Sequence, residues 1–187
     1  MGILDHKYIE NKITKNDGKD DVKYRWSHGA TDKHFGDGMI VYSMMYFFKP
    51  QVSVCLGSGG GFILRIMWTC MEDLSKEGYD INGRRVILVD AVNGVNGHPD
   101  WTDKNSFYRR TFQSEWLHST TEEAYYEYFI KRDMKIDVLW IDADHSLEGV
   151  KKDFDLYSNI MSDNGIIMIH DTDKQYMENF IETEEHE

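Results

Sequence analysis

The chain has 187 residues, enough for one domain with a full core and short for two. Hydrophobic residues make up 41% and charged residues 29%, the balance of an ordinary globular protein, and no apolar run reaches the length of a membrane span. A net charge of −12 argues against a nucleic-acid partner, because phosphate binding needs a basic face.

Residues 1–35 are polar and weakly patterned, an N-terminal arm or lid. Within them Trp26, His28, Thr31, Asp32, His34 and Phe35 form a polar and aromatic patch that suits either part of an acceptor site or a packed arm. Residues 39–48 are densely apolar and end at Lys49-Pro50, which predicts a buried helix stopping before the proline. Residues 52–56 predict a strand that runs into Gly57-Ser58-Gly59-Gly60-Gly61. Ile63, Ile66, Met67, Cys70, Met71 and Leu74 then recur at helical spacing. Strand, glycine turn and helix together suggest a cradle in which backbone without a Cβ approaches a ligand at a helix start. Cys55 and Cys70 fall inside this strand and helix, so a reduced, cytoplasmic protein is expected and a disulfide scaffold is not.

Residues 86–89 predict a second strand, ending in Asp90-Ala91. Residues 91–108 hold Asn93-Gly94, Asn96-Gly97 and Pro99 and are expected to be a long loop, most simply a wall or lid over a site. A short strand is expected over 112–117. Ser119-Thr120-Thr121 follows, with Thr120 and Glu123 in capping-box spacing before a helix running to about Lys131. Residues 136–141 predict a further strand ending in Asp142-Ala143-Asp144-His145. Ser146 then caps a helix with the apolar stripe Leu147, Val150, Phe154, Tyr157 and Met161. Asn164-Gly165 turns into a last strand, 166–169, ending in His170-Asp171. Residues 174–187 are a short acidic tail with no separate domain.

Strands alternating with helices, and apolar on both faces, predict an α/β fold. It is a doubly wound, mainly parallel Rossmann-like sheet with helices on both faces. Such sheets bind ligands at the carboxyl ends of their strands. Gly57 to Gly61, Asp90, Ser119-Thr120, Asp142 to His145 and His170-Asp171 all lie just past strand ends, so one sheet edge would collect them. The glycines depart from the dinucleotide fingerprint, which wants its third glycine where Phe62 stands. The carboxylate of Asp90 suits a pair of ribose hydroxyls.

These motifs resemble those of the class I S-adenosylmethionine-dependent methyltransferases. Val-Cys-Leu-Gly-Ser-Gly-Gly-Gly-Phe from Val54 is similar to the first family motif and Leu-Val-Asp-Ala from Leu88 to the second. Ile-Asp-Ala-Asp-His-Ser-Leu-Glu-Gly-Val from Ile141 and Asn-Gly-Ile-Ile-Met-Ile-His-Asp-Thr from Asn164 resemble methyltransferase family 24, near the macrocin and catechol O-methyltransferases. The resemblance spans about residues 39–173. It implies an enzyme that moves a methyl group from S-adenosyl-L-methionine to a hydroxyl of a small acceptor, a sugar or sugar-containing metabolite first. A binding or scaffold protein of the same fold with impaired catalysis is the alternative. It further implies that Gly57, Ser58, Gly59 and Gly61 lie along the methionine part of the cofactor and Asp90-Ala91 at its ribose. Ser119 and Thr120 would stand beside the adenine, and Asp142 near the cofactor amino group or a metal. Metal-dependent relatives carry a carboxylate after the fourth strand and a pair after the fifth, which Asp142, His170 and Asp171 match, with His170 as the departure. Magnesium prefers oxygen ligands, whereas manganese, iron or zinc accept imidazole. An alcohol acceptor needs a base, for which Asp144 and His145 are the candidates. The family fold usually adds two strands after the fifth, for which the remaining residues are few, so these strands are expected to be missing or shortened and a homodimer to cover the sheet edge.

Overall fold

The computed structural model describes residues 28, 35–57, 61–92, 104–105 and 107–172. In chain order these form α1 (Gly38–Phe48), β1 (Val52–Leu56), α2 (Phe62–Lys76), β2 (Arg85–Asp90) and the short α3 (Phe107–Thr111). They continue as β3 (Glu115–His118), α4 (Thr121–Ala124), β4 (Ile136–Ile141), α5 (Leu147–Tyr157) and β5 (Met161–Ile169). The five strands form one sheet in the order β3-β2-β1-β4-β5, and every pairing is parallel. The expected doubly wound α/β sheet is therefore present, with β1 at its centre.

Period-two alternation divides the core into two layers. Cys55, Leu88, Val138 and Trp140 face α1 and α2, where Val41, Met45, Ile66, Met67 and Leu74 bury. Val54, Leu56, Ile87, Val89, Leu139 and Ile141 face the other way, against Ala124, Phe129 and Tyr157. From β1 the chain moves outward through β2 and β3, then returns to the opposite side of β1 as β4. The crevice at the carboxyl ends of β1 and β4 is thus the topological switch point, where open α/β sheets hold ligands.

β1, α2, β2 and β4 follow the sequence expectation closely; α1 has the expected bounds but is not the expected buried helix, since only Gly38, Val41 and Met45 bury while Ile40, Met44, Phe47 and Phe48 are exposed. Lys49 ends α1 in the left-handed region, φ 50, one residue before Pro50. The turn after α2 uses Gly78 and Gly83 at φ 89 and φ 80. Cys55 and Cys70 are buried free thiols, as expected for a chain without a disulfide.

Four more expectations need correction. The third strand starts at Glu115 rather than 112, because Phe112 is drawn into the core beside Tyr108, ring centroids 5.3 Å apart. The capped helix α4 opens at once into a π-turn, Tyr125–Phe129, and a 3-10 turn, Ile130–Arg132. The wider turn lets Tyr125 and Phe129 both reach the core against Tyr157. The inward face of α5 is not the predicted stripe: Leu147 is 78% exposed and Phe154 41% exposed, whereas Asp153 and Tyr157 bury. The true stripe is Asp153, Leu156, Tyr157 and Ile160, and the carboxylate within it hides the helical period. Last, Met161 belongs to β5 and not to the helix. β5 is longer than predicted because residues 162–165 form an irregularity opposite Asp137, between the Ile136–Met161 and Val138–Ile166 pairs.

The carboxylate of Asp137 secures this irregularity. It accepts from the Ser162 hydroxyl at 2.7 Å and from the backbone N–H groups of Gln51 at 2.7 Å and Val52 at 3.0 Å. The starts of β1 and β5 are thereby held to β4. Among the described residues no helix is long and apolar enough to cross a membrane. The expected missing or shortened strands and the acidic tail fall on residues 173–187, outside the described residues.

Candidate functional site

A cavity of about 600 Å³ lies at the switch point. Its lining includes Gly57, Asp90, Ala91, Ser119, Thr120, Asp142, Asp144, His145, His170 and Asp171. The sheet thus brings together every sequence-predicted site residue except Gly61, at the start of α2, and Ser58 and Gly59, which lie outside the described residues.

Gly57 sits at φ 83, directly after β1, where its N–H bonds the Val89 carbonyl at 2.9 Å. A Cβ there would come within 2.0 Å of the Asp142 carbonyl oxygen. The glycine is required because the β1 and β4 loops touch, quite apart from any ligand. Gly61, at φ 75, begins α2 and accepts the Arg65 N–H at 3.1 Å. At the end of β2, Asp90 uses one carboxylate oxygen to accept the Val92 N–H at 2.7 Å.

The β3 end supplies Ser119 and Thr120. The Thr120 hydroxyl accepts the Glu123 N–H at 3.2 Å, and the Glu123 carboxylate accepts the Thr120 N–H at 3.1 Å, completing the expected capping box. The Thr120 side chain is committed to that cap. The Ser119 hydroxyl is buried with no hydrogen-bond partner among the described residues.

Asp142 is the centre of the opposite wall. His28 Nε2 lies 2.8 Å from its Oδ2, and His145 Nε2 and His170 Nδ1 each lie 3.2 Å from its Oδ1. Burial opposes ionisation of Asp142. The His170 imidazole beside it, the hydrogen bond with His28 and the charge of both rings outweigh it and hold the carboxyl well below the usual carboxylate range. His170 is pushed up to about 9, first by the Asp142 carboxylate set against its ring, with burial opposing and further charge from Asp171 and Asp37 adding to the rise. Asp171 takes φ 50, a left-handed conformation that accompanies a carboxylate 3.0 Å from His170 Nδ1. His170 Nε2 is 3.4 Å from Asp37.

The two candidate bases are placed differently. The Asp144 carboxylate accepts the Ser146 N–H at 2.9 Å and folds against Gly149, so it shapes the entry to α5. His145 projects at the cavity edge, its side chain 44% exposed, with Asp142 behind it and Asp171 at 3.9 Å.

Sequence reasoning offered His28 only within a patch suited to an acceptor site or a packed arm, and it did not single out Lys152 and Asp153. His28 stands in the aromatic patch of the N-terminal arm, where no spacing ties it to Asp142. The structure stacks it on Phe62 at 5.9 Å, against Asp142 and 4.7 Å from His170. Lys152 and Asp153 line the cavity from α5. Asp153 accepts the Thr121 hydroxyl at 2.5 Å, and burial raises its pKa against that bond.

The fold agrees with comparisons to known proteins. No curated protein sequence matches the chain. Among solved structures, an O-methyltransferase from Bacillus cereus in complex with SAH shares 15% identity at a TM-score of 0.56, over 81% of this chain and 69% of that one. The calicheamicin methyltransferase CalS11 shares 14% identity at a TM-score of 0.55, over 97% and 82%. An apo structure of CalS11, described as a TDP-rhamnose 3'-O-methyltransferase, gives 14% identity and a TM-score of 0.57, over 97% and 83%. At these identities the likeness is one of fold. A family model described as a methyltransferase domain matches residues 54–172, well over half of the chain and all four strand-end motifs. The chain belongs to methyltransferase family 24, within the class I S-adenosylmethionine-dependent methyltransferases.

Proposed function

We propose that this methyltransferase acts on a hydroxyl of a small acceptor, a sugar or sugar-containing metabolite first. The observation that carries the reading is the cavity itself. Its about 600 Å³ falls in the roughly 300–1,000 Å³ range of small-molecule sites, and its two walls differ in chemistry. One wall is a Cβ-free backbone at Gly57, the Asp90 carboxylate and the Ser119 hydroxyl, unpartnered among the described residues, which fits an adenosine with its ribose diol and amino-acid tail. The other is ionic and imidazole-rich, which fits an acceptor that must lose a proton. The sugar class draws support from the CalS11 likeness.

Bound S-adenosylmethionine supplies an electrophilic methyl group: the acceptor oxygen forms a C–O bond as the C–S bond breaks, and its electron pair stays on sulfur. The protein aligns the acceptor, excludes water and removes the hydroxyl proton. His145 suits the last task because it faces the cavity with Asp142 behind its ring to stabilise the imidazolium. Asp144 is tied to the α5 entry and suits positioning. Asp142, His170 and Asp171 offer an O, N, O donor set for a divalent cation, which would lower the acceptor pKa by charge. The outer edge of β5 pairs with no described strand, and the homodimer reading rests on that edge.

Calorimetry with S-adenosylhomocysteine, followed by methyl transfer to a panel of nucleotide-activated sugars and catechols, tests the reading. Saturable binding with product on the sugars supports it. Binding without product on any hydroxyl acceptor would favour the scaffold alternative, and absence of binding by folded protein would reject the cofactor.

A further inference from the structure

We propose that His28 is a metal ligand, and that with Asp142 and His170 it forms a two-histidine, one-carboxylate centre selective for a transition ion over magnesium. The inference rests on the metal reading above and changes its donor set and the metal it takes.

Three observations meet at this point. The ligand atoms of His28, Asp142 and His170 lie within 4.8 Å of one another, on three separate parts of the chain. The contacts along the group, 2.8 Å from His28 to Asp142 and 3.2 Å from Asp142 to His170, are close to the about 3 Å that separates neighbouring ligands around an ion with bonds near 2.1 Å. His170 Nδ1 is the most telling atom. It is shut off from solvent and stands 3.0 Å and 3.2 Å from two carboxylates, yet it makes no well-formed hydrogen bond to either. Atoms arranged about a shared cation look like this, whereas a donor and its acceptor would align.

The imidazoles are held as ligands need to be held. His28 is stacked on Phe62 with its ring planes 16° apart and meets Trp140 edge-on at 5.9 Å. Its backbone carbonyl accepts the Asp37 N–H at 2.9 Å, fixing it to the start of α1. His170 is backed on its far nitrogen by Asp37 at 3.4 Å, the carboxylate–histidine arrangement that orients a metal-bound ring. Two nitrogens and one carboxylate disfavour magnesium and calcium, which take oxygen ligands, and suit manganese, iron, cobalt or zinc. His28, Asp142 and His170 all line the cavity proposed for the acceptor.

The test uses the full chain after chelation, titrated with manganese(II) and followed by electron paramagnetic resonance. One tight site per chain is expected, resisting competition by a large excess of magnesium, with pulsed-resonance modulation from two imidazole nitrogens. His28→Gln keeps a polar side chain against Asp142 while removing the imidazole. It should weaken manganese binding by roughly 10–100-fold and leave modulation from one nitrogen. His28→Ala should do the same. Unchanged manganese affinity and modulation in a folded His28→Gln protein would overturn the proposal, as would magnesium competing on equal terms. S-adenosylhomocysteine calorimetry on the same samples separates the two readings. Cofactor binding without manganese binding removes the metal centre and leaves the methyltransferase reading intact.

Discussion

At the residue scale, the chemistry concentrates on Asp142 and on the groups that press against it. His145 is the one imidazole of the three that projects to the cavity edge, and that placement separates it from Asp144. General-base assistance contributes about 10²–10⁴-fold, so His145→Ala should cut kcat by roughly 100-fold with little change in S-adenosylhomocysteine affinity. Asp144→Asn retains an oxygen to accept the Ser146 N–H and should keep most turnover. Rate assays on the two variants decide it, and full turnover in both would end the assignment. Gly57→Ala should cost stability rather than chemistry. It combines a left-handed φ with a 2.0 Å approach to the Asp142 carbonyl oxygen, and a loss of about 3 kcal/mol or more is expected by denaturant unfolding. The sequence pattern pointed to this glycine, but it suggested a ligand as the reason. Residue spacing carries no information about which loop will fold against another.

At the element scale, the pieces that read well were those whose periodicity is undisturbed. β1, β2, β4 and α2 carry long apolar patterns with clear stops, whereas α1 is apolar all round and so read as buried, yet Phe47 and Phe48 on its last turn are exposed. α5 misled because Asp153 interrupts its buried face, and β5 because Asn164-Gly165 looks like a turn but lies within an irregular strand start. The α4 cap was legible from Thr120 and Glu123, while the π-turn after it was not, since it answers to the packing of Tyr125 and Phe129 on Tyr157. Thr120→Ala removes the capping hydroxyl and should cost about 1 kcal/mol in unfolding experiments. A second effect belongs to the β2–β3 pair. Arg85 forms an ion pair with Glu115, which also accepts from Tyr128. Burial would raise the Glu115 pKa, but the bonds from Arg85 and Tyr128 prevail and lower it. A depressed carboxyl stabilises the fold above its unfolded pKa and loses that contribution as pH falls through the folded value. Glu115→Gln should therefore be less stable than the native chain at pH 7, by about 1 kcal/mol at most for a half-exposed pair. The gap should close in acid below about pH 4, as read by thermal melts across pH.

At the scale of the whole molecule, the site exists only because the sheet reverses direction beside β1. No single segment contains it. Its residues come from separate stretches spread between His28 and Asp171, and the alternation of strands and helices was what placed most of them on one edge in advance. His28 escaped because the order of elements says nothing of where a segment ahead of the first helix will dock. A ligand that binds such an assembled site stabilises all of its parts together. S-adenosylhomocysteine at 100 times its Kd should add about 2.7 kcal/mol to the folded state. For a chain of this size that is a rise in Tm of several degrees by calorimetry. A melting temperature unmoved at saturating ligand would count against the cavity as the cofactor site.

The touching of Gly57 and the Asp142 carbonyl also bears on how variants of this enzyme should be scored. A screen that reads only cofactor binding would rank position 57 among the strongest binding determinants, because a protein that fails to close β1 against β4 presents no site at all. Pairing each binding score with an abundance score would move position 57 to the fold column and leave Ser119, whose hydroxyl has no hydrogen-bond partner among the described residues, in the binding column.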